Sequence, residues 1–71
     1  MSMTDRIDRL GALELRCLSL AARGRTRLEM MRETDIPVER IDRAIEEAMR
    51  KLNANNLAEA VIRAARLDLI S

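Results

Sequence analysis

No phenylalanine, tyrosine or tryptophan occurs in the sequence, so any core must be built from Leu, Ile, Val, Met and Ala alone. With 71 residues there is room for one domain. A domain of that size buries only about 60% of the surface its unfolded chain exposes. The remaining usage is helical: Leu, Ala, Arg, Glu and Met dominate, and Val occurs only twice. No stretch alternates apolar and polar residues long enough to make a strand. At 48% apolar and 35% charged, the chain has enough apolar groups to collapse, unlike a disordered acidic or basic tail.

The same composition narrows the chemistry. Without histidine there is no imidazole base and no His-based triad or metal site. The lone Cys17 supports neither a disulfide framework nor a cysteine-rich zinc site. It is expected to be a small buried hydrophobe rather than a nucleophile. The scattered carboxylates lack a catalytic partner, and no phosphate-binding glycine loop is present, so no enzyme and no cofactor is expected. One thiol and no signal peptide point to a reducing, cytoplasmic setting. No apolar run approaches the ~18 residues that span a membrane. The lack of aromatics removes base-stacking surfaces. A net charge of +1 argues against a general polyanion binder, so nucleic-acid binding would rest on local placement of arginines.

Glycines, the one proline and cap residues divide the chain. Residues 1–9 read as an N-terminal tail or short lead-in helix, and 10–71 as the domain. Gly11 with Glu14 at N3 starts a helix near 12–23, stapled by Leu10 and Leu15 and ended by Gly24. Thr26 and Glu29 form a capping box for a short helix near 27–34. Thr34-Asp35-Ile36 makes a tight turn. Pro37, in the first turn, opens a third helix near 37–52, with Ile41, Ile45, Ala48 and Leu52 as its buried stripe and Asn53 closing it. Asn56 with Glu59 caps a fourth helix near 57–67, whose inner face is Ala60, Val61, Ala64 and Leu67. Leu18, Ile41, Ile45 and Leu52 should be among the most buried side chains, and Met30 and Met31 fill the core. The result is an all-α, four-helix bundle containing a helix-turn-helix arrangement.

Read as one string from Leu10 to Ile70, the chain resembles the DNA-binding domain of the LuxR/FixJ/GerE family of bacterial transcription regulators. In the first half the shared residues are Leu10, Glu14, Cys17-Leu18, Ala22-Arg23-Gly24, Thr26 and Glu29-Met30. In the second they are Ile36, Lys51-Leu52, Asn56, Glu59-Ala60-Val61 and Leu69-Ile70. The resemblance implies a LuxR-type helix-turn-helix fold that contacts double-stranded DNA with its third helix and dimerises through its fourth. It also implies a stand-alone regulator or an excised C-terminal domain, since full-length members carry a sensor or receiver domain for which this chain has no room. Met1 favours the stand-alone form.

The third helix departs from that family. Where the family has Ser-x-x-Thr-Val-Lys-x-His, this chain has Pro37, Arg40, Ile41, Asp42, Arg43 and Ala44, and a further, often basic position is Glu46. The family's phosphate and base-edge positions therefore imply Arg40 as a phosphate clamp and Arg43 as a guanine reader. Asp42 or Glu46 would accept from cytosine N4. Thr26, Arg27 and Lys51 complete the implied contact set, with Arg23 and Arg25 beside them. From Val38 to Leu52 four acids balance four bases, where a groove-entering helix is normally basic, and each carboxylate repels a duplex carrying one charge per ~1.7 Å. The competing expectation is a solvated, self-paired face with Glu39–Arg43, Glu46–Arg50 and Glu47–Lys51 as i,i+4 pairs, worth about 0.2–0.5 kcal/mol each. On that reading the domain has lost DNA binding and acts as an interaction module, pairing with a full-length regulator of the same family. Leu57, Ala65, Leu69 and Ile70 exceed one core face and predict a weak homodimer through the fourth helix.

Overall fold

A computed structural model describes residues 10–70, and the expectation of a tail or lead-in helix over 1–9 lies outside them. Four helices and no strand occur among the described residues: α1 (Ala12–Ala22), α2 (Arg27–Thr34), α3 (Val38–Lys51) and α4 (Leu57–Arg66). α1 packs on both α3 and α4, α2 lies against α3, and α3 reaches all the others. No described helix is long and apolar enough to cross a membrane.

Each boundary follows from local chemistry. The Gly11 N–H donates to the Glu14 carboxylate at 2.9 Å, opening α1. Gly24 then turns the chain at φ +83°, while Arg25 N–H donates to Leu20 C=O and Gly24 N–H to Ala21 C=O, both at 3.0 Å. That pair of bonds satisfies carbonyls the helix leaves free. The Thr26 hydroxyl accepts from Glu29 N–H at 3.1 Å, and the Glu29 carboxylate accepts from Thr26 N–H at 2.8 Å, so the capping box is closed from both sides. These bonds hold the Glu29 carboxyl below its ordinary range, the backbone bond most of all.

The turn into α3 differs from expectation by one residue. Pro37 is the N-cap, with φ −57° and ψ 145°, and Val38 is the first helical residue. Its ring presets φ, and its carbonyl accepts from Arg40 and Ile41 N–H at 3.0 and 3.1 Å. No side chain caps α3, and Glu39 is the acid of its first turn. The Thr34 hydroxyl ties the turn together, donating to Met30 C=O at 2.7 Å and accepting from Ile36 N–H at 3.3 Å. Asn53 (φ 55°) and Asp68 (φ 58°) repeat the closure of α1 at the ends of α3 and α4, each in the left-handed region.

The core has two halves joined along α3. Cys17, Leu20, Met30, Ile41, Ala44 and Ile45 pack α1, α2 and α3 together. Leu10, Leu18, Ala48, Leu52, Ala60, Ala64 and Ile70 pack α1, α3 and α4. Met49 and Leu57 touch both. Leu18, Ile41, Ile45 and Leu52 are buried as the periodicity predicts, as is Met30, while Met31 is half-buried. Cys17 is fully buried, and burial pushes its thiol pKa up. Leu67 corrects the expected inner face of α4: it is the C-cap and is 45% exposed, and after the turn at Asp68 it is Leu69 and Ile70 that reach the core.

Candidate nucleic-acid interface

α2, the turn and α3 form a helix-turn-helix whose second helix buries one stripe and presents the other to solvent. Ile41, Ala44, Ile45 and Ala48 face the core. Glu39, Arg40, Arg43, Glu46 and Arg50 are exposed, and Asp42, Glu47 and Lys51 are half-buried along the flanks. The 3.6-residue period produces this separation directly.

The fold assigns half of the charged side chains on α3 to internal partners, and not those the i,i+4 spacing predicts. On the α2 flank Asp42 pairs with Arg27 Nε, its Oδ1 shut off from solvent. Two residues of the expected contact set thus neutralise each other across the helix-turn-helix. On the α1 flank Lys51 Nζ sits 2.9 and 3.1 Å from the two Glu14 oxygens, with side chains only 21% and 13% exposed. Lys51 is therefore a strut between α3 and α1, where the sequence placed it at DNA or beside Glu47. Arg50 instead takes Glu47, one turn away, at 2.7 Å. That bond lowers the Glu47 pKa and raises that of Arg50. None of the expected pairs Glu39–Arg43, Glu46–Arg50 and Glu47–Lys51 is among the ion pairs of the described residues: Glu47 takes Arg50 and Lys51 takes Glu14.

Arg40 and Arg43 remain. Neither has an ion pair or side-chain hydrogen bond among the described residues, and both are exposed. They border a shallow open depression of about 240 Å³, whose other walls are Gly11, Leu13 and Glu14 from the start of α1 and Ala44 and Glu47 from α3. The Thr26 side chain is spent on the cap of α2, although the residue lies on the surface. Arg25 bonds Glu33 at 2.7 Å, which removes another cation from the arginine cluster.

α4 distributes its apolar residues differently from the sequence expectation. Of the four residues assigned to a dimer contact, Ile70 is buried, Leu57 and Leu69 are half-buried against the core, and only Ala65 is exposed. The left-handed turn at Asp68 swings Leu69 and Ile70 back under α1 and α3. The large apolar groups that α4 and its cap leave outside are Ile62 (51% exposed) and Leu67 (45%). Sequence reading also missed Arg63. Its guanidinium donates to Leu52 C=O at 3.1 Å and pairs with Glu59 at 3.3 Å, clamping α4 to the end of α3. The i,i+4 spacing to Glu59 was the available signal.

No group of His, Cys, Asp and Glu among the described residues is arranged to hold a metal ion. Comparison with models of protein families, with curated proteins and with solved structures finds no match to this chain. The fold and the charge distribution are therefore the physical basis for a functional reading.

Proposed function

We propose that the chain is a LuxR-type helix-turn-helix domain that binds duplex DNA in bacterial transcriptional control, with α3 in the major groove. The observation that carries this reading is the pair Arg40 and Arg43. These are the α3 cations left without a carboxylate partner, and both stand on the exposed side of the second helix of a helix-turn-helix. On this reading Arg40, which borders the same depression as the start of α1, clamps a phosphate, and Arg43 reads a base. Ile62 and Ala65, one turn apart and exposed on α4, offer a small apolar contact for a weak homodimer through that helix, the arrangement that lets two domains read two half-sites.

A titration of random-sequence duplex against salt tests the reading. Wild-type protein binds at low ionic strength, and Arg40→Ala weakens binding to every sequence and flattens the salt slope by about one unit. Absence of wild-type binding at low salt overturns it.

A second reading draws on a different observation. The charges of α3 sum to zero, and Asp42 takes Arg27 out of service. On this reading the domain makes no DNA contact and pairs with a full-length regulator of the same family. Mixing it with such a regulator then lowers that regulator's operator binding.

A further inference from the structure

Two shallow depressions share Leu13 of α1 as a wall. One, of about 240 Å³, lies against α3 and is bordered by Glu14, Glu47, Arg40 and Arg43. The other, of about 430 Å³, lies against the end of α2 and the turn, and is bordered by Arg16, Glu33 and Ile36. The fold sorts the charges around them. Each acid in the walls has a cation: Glu14 takes Lys51, Glu33 takes Arg25, and Glu47 takes Arg50. The arginines in the walls are all exposed, and none has an acid among the described residues. Arg16 of α1 thus stands in one depression, and Arg40 and Arg43 of α3 in the other, without a counter-charge. Between them Leu13, Ile36 and Ala44 make an apolar floor that rests on the core.

We infer that this groove is a docking surface for an acidic, amphipathic segment of a partner protein. An apolar side chain of the segment covers Leu13, and its carboxylates meet Arg16 on one side and Arg40 and Arg43 on the other. Charge complementarity decides the occupant. A nucleic-acid strand is a poor fit, because its evenly spaced phosphates run past Glu14, Glu33 and Glu47 as well as past the arginines. It also has nothing apolar to lay on the floor. A peptide can set an uncharged residue opposite each acid, cover the floor and still bring carboxylates to the guanidinium groups. The surface is separate from the exposed Ile62 and Ala65 on α4. The inference goes beyond the DNA-binding reading of α3 and has a consequence for it. Arg40 and Arg43 serve both, so a docked segment and a duplex exclude one another.

The experiment is selection of random short peptides displayed on phage against the full chain, followed by titration of the selected peptides. Selected sequences are expected to carry Asp or Glu on both sides of an apolar residue. Arg16→Ala, Arg40→Ala and Arg43→Ala each weaken them by about fivefold, the upper end for an exposed ion pair. Arg32→Ala and Arg66→Ala, exposed arginines outside the groove, leave them unchanged. The proposal is overturned if no peptide is selected, if the selected peptides lack acids, or if they bind Arg16→Ala and Arg40→Ala as tightly as wild type. It is also overturned if peptide binding is unchanged while Arg16→Ala weakens random duplex as Arg40→Ala does, since the groove then follows DNA. The same holds if the substitutions alter only self-association in sedimentation, since a second copy of the chain then fills the groove. Acidic peptides that need all three arginines, on a chain that binds no duplex at low salt, support the docking surface and overturn only the DNA-binding reading.

Discussion

The two faces of α3 are governed by different constraints. Its inner stripe of Ile41, Ala44, Ile45 and Ala48 meets neighbours on the other helices and contains no polar atom that needs a partner. Its outer stripe alternates acids and bases whose partners are chosen by geometry: Arg27 from α2, Glu14 from α1, and Glu47–Arg50 within the helix. The inner face has one good solution, because close packing punishes a single missing methyl group. The outer face has several of nearly equal energy, since exposed ion pairs are worth little. Substitutions on the outer face should therefore disturb the fold much less than substitutions on the inner one.

That contrast is broken most decisively from within. Ile45→Ala should cost about 2–5 kcal/mol, read from the midpoint of chemical denaturation, because it empties a site where three helices meet. A loss below 1 kcal/mol would mean that the inner face repacks freely. Lys51→Ala comes next, at about 1–3 kcal/mol, since it strands the nearly buried Glu14 carboxylate without its cation. It marks the limit of the comparison, an outward-pointing residue that behaves as core.

Thr26→Ala is expected to cost about 1 kcal/mol through loss of the α2 cap. The cap also has an acid signature. The Glu29 pKa is lowered in the folded state, so its contribution is present above the ordinary carboxylate range and disappears as pH falls through the lowered value. Helix content followed by circular dichroism during acid titration should show this loss in wild type, and less of it in Glu29→Gln. The smallest effect belongs to Glu47→Gln, which removes an exposed pair and should leave the denaturation midpoint unmoved.

The contrast between the faces also explains what could be read in advance. Thr26 with Glu29, Gly24, Asn53 and Asn56 each act within a few residues of their own position. Their chemistry is local, so the helix limits were legible to within about one residue. The buried stripe of α3 was equally plain, because periodicity determines it. Lys51 was not legible: its partner is Glu14, separated by 37 positions, and nothing near it in sequence favours Glu14 over Glu47. Leu57, Leu69 and Ile70 looked surplus because helical periodicity assumes the helix continues, whereas the left-handed Asp68 redirects the chain. The candidate site was legible as a stretch of α3, but which of its charges stay available depended on α1 and α2.

The fully buried Cys17 gives the protein an internal clock. Its thiol lies between α1, α2 and α3 and is the one sulfhydryl in the chain. A thiol reagent reaches it only when those helices part, and the raised pKa slows any reaction of the closed form further. Without aromatic residues the protein has no side-chain fluorescence to report unfolding, so the rate of Cys17 alkylation under native conditions becomes the direct measure of how often the helix-turn-helix opens.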